Sequence, residues 1–286
     1  RERPGPHALG RTPLDLARAC AAHLLASRMS YRGLPRAWAM SPRKPPLGDF
    51  CYGAAGISYA LQRLHEATGD RELGDAASEG WAFVRGLYSP EHGNWRDIRA
   101  TLQLRARIGE GSTWRDFWFS DWSDGPAAEL ATGAEEPLGP LVDAFGNSWC
   151  HGGAGIVLAR LAALHLVDTP EVREELSGAL PRVAAFAQPE QLARGGEDDL
   201  CCGHMGRADV LLQARLVTGD AAWGAAAMSI AQQVWLQALA RGRYNPSAAR
   251  GSATFAPTLF QGVSGVGYGF LRLAFPEVLP SVLLLE

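Results

Sequence analysis

The chain is read as an all-α protein, an α/α toroid made of a double ring of helical hairpins. Three features predict it. Four Gly-x-x-Gly turns (Gly53 to Gly56, Gly152 to Gly155, Gly203 to Gly206, Gly262 to Gly265) each open an apolar run of helical period. Two of the runs end in the same Thr-Gly-Asp sequence at the same offset, Thr68-Gly69-Asp70 and Thr218-Gly219-Asp220. An alanine-rich second helix follows each, as a Gly suited to the left-handed C′ position allows.

The elements follow in order. A first helix spans about residues 12 to 28, with Thr12 as N-cap and Pro13 at N1. It is taken as the outer member of a hairpin whose partner is missing, so the ring is expected to be incomplete at its N-terminus. After Gly56, residues Ile57, Ala60, Leu61 and Leu64 share one helix face; after Gly265, Val266, Gly269, Phe270 and Leu273 do the same. The run after Gly155 ends at Val167-Asp168-Thr169-Pro170, where Pro starts the next helix. Repeated hairpins pack as an open solenoid or a closed ring, and the doubled glycines favour the ring by letting backbones crowd at its mouth. The interval between Gly56 and Gly155 is the longest, its excess lying at about residues 89–147. There Trp95, Trp114, Trp118 and Trp122 stand among Asp, Ser and Gly, as in an ordered excursion that serves either as a rim for peptide or as a set of core anchors. Because the repeat resumes afterwards, residues 1–286 are expected to form a single domain with this insertion.

Composition narrows the function. With 286 residues, 47% hydrophobic and 20% charged, the chain can bury a large core. A net charge of −3 and a pI near 6.2, with no basic stripe, speak against nucleic acid and anionic lipid as partners. No apolar run approaches the roughly 20 residues of a membrane span, and the N-terminal residues do not form a signal peptide. Five cysteines, two of them adjacent, make a poor disulfide framework and suit thiols kept free in the cytoplasm.

Three of those five cysteines fall in two of the repeated turns: Cys150 in Ser-Trp-Cys-His-Gly and Cys201-Cys202 in Leu-Cys-Cys-Gly-His. Thiols delivered from two turns at one end of a helical array are the donor set of a zinc site with an open fourth position. Three thiolates on Zn²⁺ leave a net charge of −1, which keeps electron density on sulfur and suits thiol alkylation. The plainer reading makes all three small buried hydrophobes. Burial is the expectation for Cys20 and Cys51. His151 and His204, next to the thiols, are alternative ligands or proton-transfer residues. Glu197-Asp198-Asp199 reads as a solvated loop.

These frames, together with Leu-Cys-Cys-Gly-His-Met-Gly-Arg at 200–207, Phe-Gln-Gly-Val-Ser-Gly-Val-Gly-Tyr at 260–268 and the run from Leu279 to Glu286, resemble the cyclase domain of class II lanthipeptide synthetases, a LanC-like domain of the LanM type. The likeness runs from about residue 48 to the end. Cys-Cys-Gly, where most relatives have Cys-His-Gly, is similar to the subgroup that binds zinc through three cysteines.

The resemblance implies a toroid with zinc at the mouth of its cavity, held by Cys150, Cys201 and Cys202. It also implies a reaction, in which a cysteine thiolate of a dehydrated precursor peptide adds to dehydroalanine or dehydrobutyrine and closes a lanthionine or methyllanthionine ring. An enzyme acid then protonates the α-carbon. Tyr52 and His204 are the candidate catalytic residues.

The chain departs from the family pattern in three ways. Cys51-Tyr52-Gly53 stands where relatives carry Ala-His-Gly, and Tyr52, with a reference pKa near 10, is a proton donor and a poor base. Gly146 stands where some relatives carry Arg. The early hairpins and an upstream dehydratase domain are missing from this chain, which is therefore expected to be the C-terminal part of a synthetase. Two other functions fit the residues. One is a carbohydrate-active enzyme on the same ring, pairing Asp121 or Asp124 with Asp198 or Asp199. The other is a catalytically inactive peptide-binding remnant of the cyclase.

Overall fold

The computed structural model describes residues 10–31, 33–40, 45–98, 145–193, 196–249 and 255–285. The described residues are mostly helical, and the all-α class holds. Trp114, Trp118, Trp122, Asp121 and Asp124 lie outside them. By its internal contacts the chain divides into two compact units, Arg1–Leu47 with Gly53–Gly86 and Ile98–Val142, and Gly48–Tyr52 with Leu87–Asp97 and Asp143–Glu286.

The first unit contains α1 (Pro13–Ala26), α2 (Ala54–Thr68) and α3 (Arg71–Gly86). At the start of α1, Thr12 and Asp15 form a reciprocal capping box that satisfies donors the first turn leaves orphaned. Helices α2 and α3 form a hairpin around Gly69, whose φ of 73° is the left-handed conformation expected at the helix end. The predicted face of α2 is corrected. Ala60 is exposed, and burial instead follows Ala54, Ala55, Ser58, Tyr59, Leu61 and Gln62. Gln62 enters this core because α3 offers it a hydrogen-bond donor, and Ser58 because α3 is small where the two meet. Trp81 Nε1 donates to Gln62 Oε1 at 3.1 Å, and Gly80 is small enough to lie over Ser58 and the Trp38 ring.

The second unit contains a short antiparallel hairpin, β1 (Tyr88–Ser89) with β2 (Asn94–Trp95), followed by α4 (Gly153–Ala163), α5 (Pro170–Ala184), α6 (Pro189–Ala193), α7 (His204–Thr218), α8 (Ala221–Arg241) and α9 (Val263–Ala274). Of the excursion's tryptophans, Trp95 is a core anchor, 2% exposed and packed on Tyr88. Helices α7 and α8 repeat the α2–α3 hairpin in detail. Gly219 has φ 75°, and in each loop the threonine hydroxyl accepts from the aspartate amide while the aspartate carboxylate caps the next helix. Helix α5 starts at Pro170 with Thr169 as N-cap. Helices α4 and α7 are buried on nearly every side through their first two turns, so α5, α8 and α9 flank them as a second layer. Two buried ion pairs cross between helices, Arg160–Glu175 from α4 to α5 at 2.7 Å and Arg272–Asp209 from α9 to α7 at 2.5 Å. Ser281 also donates to Asp209, tying down the C-terminal segment.

The repeated turns share one backbone. In all four, the first helical amide donates to a carbonyl at the start of the loop: Ala54 to Leu47, Gly153 to Gly146, His204 to Glu197 and Val263 to Ala256. Each bond satisfies an orphan donor of a helix N-terminus. The second glycine lies inside the first helical turn rather than before it. A Cβ on Gly155, Gly206 or Gly265 would come within 2.0, 2.0 or 1.8 Å of the carbonyl oxygen of Trp149, Leu200 or Leu259, so only glycine fits.

Candidate metal centre

The repeat register makes Cys51, Cys150, Cys201 and Phe260 equivalent positions, each two residues before a first glycine. In the second unit the last three of these turns lie side by side. The Cys150 amide donates to the Cys201 carbonyl at 3.3 Å and the Cys201 amide to the Phe260 carbonyl at 2.8 Å. Ser148 Oγ donates to the Cys202 carbonyl at 3.3 Å. Trp149 anchors its turn by stacking on Phe260 at 5.3 Å and donating through Nε1 to the Leu283 carbonyl at 3.0 Å.

This ladder brings three thiols together. The sulfurs of Cys150, Cys201 and Cys202 all lie within 4.8 Å of one another, with Cys150 to Cys202 at 3.5 Å and Cys201 to Cys202 at 3.7 Å. The cysteines are free, not disulfide-bonded. A tetrahedral zinc with Zn–S bonds of about 2.3 Å needs sulfurs about 3.8 Å apart, close to the two separations just given. The thiols stand at the N-termini of α4 and α7, where the helix dipoles favour thiolate. Hydrogen bonding to Cys201 and Cys202, then burial, push the Cys150 thiol far up; a hydrogen bond from Cys150 lowers Cys201, but Cys202 and burial outweigh it and leave Cys201 raised. Three thiols that crowd to zinc-ligand spacing at two helix N-termini fit a soft divalent ion. Among the described residues no imidazole nitrogen or carboxylate joins the cluster at that spacing.

The residues around the thiols fall into distinct environments. Tyr52 is 44% exposed and meets the His151 ring edge-on at 5.2 Å. Desolvation and the nearby cysteines, Cys51 first, raise its hydroxyl above the ordinary tyrosine range. His151 Nδ1 lies 3.8 Å from Asp49, whose other carboxylate oxygen accepts the Gly152 amide at 2.9 Å. His204 is 2% exposed, next to Phe186, Arg207 and Gly196, and burial followed by the charges of Arg207 and Arg241 lowers its imidazole to about 3. It is therefore neutral at physiological pH.

Several expectations are corrected. Asp198 and Asp199 are not in a solvated loop: both are 0% exposed. Asp198 accepts from Arg241 and the Asn245 amide, and Asp199 from the Cys202 and Ser247 amides, so both carboxylates brace the cysteine loop from within. Burial raises both. Cys20 and Cys51 are exposed rather than buried. Desolvation by the surrounding protein, then Asp49 and Cys202, push the Cys51 thiol up to about 12. At Gly146, where some relatives carry Arg, a Cβ would approach the His151 carbonyl to 2.9 Å. Asp49 and Arg207 carried no role in the sequence reading. Arg207 was visible within the 200–207 motif; Asp49 had no signal of its own.

Helical hairpins that gather three thiols on adjoining turns define an all-α protein with a metal-type sulfur cluster. A family model described as lanthionine synthetase C-like protein matches residues 49–284, and the chain belongs to that family. Among solved structures the chain is similar to nisin cyclase, at 14% sequence identity and a TM-score of 0.48, over 80% of this chain and 46% of that one. The chain thus aligns with about half the length of that protein. No curated protein matches it.

Proposed function

We propose that this chain is the cyclase part of a class II lanthipeptide synthetase of the three-cysteine subgroup, forming lanthionine and methyllanthionine in a dehydrated precursor peptide. The observation that carries the reading is the convergence of the Cys150, Cys201 and Cys202 sulfurs within 4.8 Å in a chain of the lanthionine synthetase C-like family. These three residues would hold Zn²⁺. Bound there, zinc supplies an open position at which a substrate thiol loses its proton at neutral pH.

The chain's own residues supply the rest. The helix N-termini of α4 and α7 and the surrounding backbone hold the thiols in place. In the reaction the peptide S–H bond breaks, a C–S bond forms at the β-carbon of the dehydro residue, and the C=C electron pair moves to give an enolate. The α-carbon then takes up a proton from an enzyme acid, the proton released from the thiol restores that acid through solvent, and no atom is lost overall. Tyr52 is assigned as the proton donor because the residue is solvent-exposed beside the thiols and its phenol, raised above the ordinary tyrosine range, stays protonated at neutral pH. His151, whose Nδ1 lies 3.8 Å from Asp49, meets the Tyr52 ring from its edge and orients it. His204, neutral and buried against Gly196, braces the cysteine loop rather than meeting substrate.

The reading further places these residues in one domain with a ring architecture, in the cytoplasm, with a dehydratase domain as upstream partner. Among the described residues no helix is long and apolar enough to cross a membrane. The deciding experiment is metal analysis of the purified chain, followed by incubation with a dehydrated peptide and mass-spectrometric labelling of free thiols. Zinc together with loss of labelled thiol at unchanged peptide mass supports cyclisation. Zinc and peptide binding with all thiols still labelled would instead identify a non-catalytic remnant, and a metal-free chain would end the proposal.

A further inference from the structure

Arg207, in the second turn of α7, is 8% exposed. Its Nε donates to the Asn147 carbonyl at 2.8 Å, its Nη1 lies 3.5 Å from His204 Nδ1, and its guanidinium stands 4.1 Å from the centre of the Phe186 ring. Among the described residues no carboxylate comes within ion-pair distance of it, unlike Arg160, Arg241 and Arg272, each of which has one. A buried cation without an ion pair is costly unless negative charge nearby offsets it. Burial lowers its pKa to about 10, and the groups that act against burial are Glu197, then Cys202, Asp199 and Cys150. Two of those four are thiols of the cluster. Asp199 is already committed to the Cys202 and Ser247 amides, and it adds negative charge to a region where three thiolates on a divalent ion would already leave an excess.

The Asn147 bond has a second consequence. Arg207 belongs to the helix that follows Cys201-Cys202, whereas Asn147 belongs to the turn that presents Cys150. One side chain therefore spans the two segments that supply the sulfurs.

We propose that Arg207 is a positioning residue for the metal centre: its positive charge offsets the excess negative charge of three thiolates on one divalent cation, and its bond to Asn147 holds the Cys150 turn to the Cys201–Cys202 helix. The inference rests on the three-cysteine reading of the site. It assigns a function to a buried cation that takes no part in any ion pair of the described core.

The test is zinc affinity, measured by chelator competition, for the wild-type chain, Arg207→Lys, Arg207→Met and Arg207→Gln. Cobalt substitution reports thiolate coordination, and melting of the metal-free protein reports folding. Arg207→Met and Arg207→Gln are expected to lose about 10–100-fold in zinc affinity, the scale of lost outer-sphere partners, while Arg207→Lys recovers at least about tenfold of that. Arg207→Gln retains a donor for the Asn147 carbonyl and carries the test if Arg207→Met fails to fold. Neutral variants that bind zinc as tightly as the wild type would overturn the proposal, as would a Lys variant no better than Met. In both cases wild-type zinc binding leaves the three-cysteine reading intact. A wild-type chain with neither zinc nor thiolate-to-cobalt absorption would remove both readings.

Discussion

The Cys150 amide donates to the Cys201 carbonyl at 3.3 Å, so turns far apart along the chain are backbone neighbours and their thiols share one volume. Each of the three sulfurs is a proposed ligand. Replacing Cys150, Cys201 or Cys202 singly by Ala should lower zinc affinity by more than the roughly 10–100-fold cost of an outer-sphere change, with helical content retained. Competition with a chromophoric chelator and circular dichroism measure the two.

Tyr52→Phe removes one hydroxyl from an exposed ring and leaves the ring's contact with His151 in place. If Tyr52 protonates the α-carbon, cyclisation should slow by about 10²–10⁴-fold, the usual worth of a general acid, while zinc content is unchanged. Single-turnover cyclisation followed by thiol labelling reads the rate. An unaltered rate would remove Tyr52 from the mechanism.

Gly206→Ala would drive a methyl to within 2.0 Å of the Leu200 carbonyl, immediately before Cys201. Neither group is a flexible side chain, so the turn must shift. The expected loss is about 1–3 kcal/mol of stability, as for overpacking, accompanied by weaker zinc binding. Gly267→Ala is the control, because a Cβ there meets nothing within 4 Å. Urea unfolding of both variants separates the backbone clash from a general effect of alanine.

Glu79 provides the pH test in the first unit. Burial pushes its carboxyl up, but Arg36, through a 2.7 Å ion pair, and Arg28 outweigh burial and leave it below its ordinary value. A depressed folded pKa contributes stability that is present above the unfolded value and lost as pH falls through the folded one. The increment is about 0.2–1 kcal/mol for so exposed a pair. Denaturation midpoints should therefore separate wild type from Glu79→Gln at pH 7 and converge in acid below the carboxylate range. Equal separation at both pH values would show that the ion pairs carry none of the difference.

How legible each feature was depended on whether it is local. The Thr-Gly-Asp loops, the cap at Thr12 and Pro170 were readable because local backbone chemistry decides them, and each is found as expected. The cysteine frames were readable because a motif repeated in a repeat returns to the same end of the array. The buried face of α2 was misjudged because Gln62 is admitted to the core by Trp81, a partner that periodicity does not see. Asp198 and Asp199 were read as solvated for a similar reason, since the groups that satisfy them, on Arg241, Asn245 and Ser247, arrive from distant segments.

The shared backbone of the turns has an evolutionary corollary. Where several loops present their side chains from one template whose bonds are all made by backbone atoms, a substitution in the slot changes the donor offered without removing any of those bonds. Phe260 fills the slot that Cys150 and Cys201 occupy in their own copies, so the chemistry of the array is set by which loops carry sulfur and not by any redesign of the scaffold.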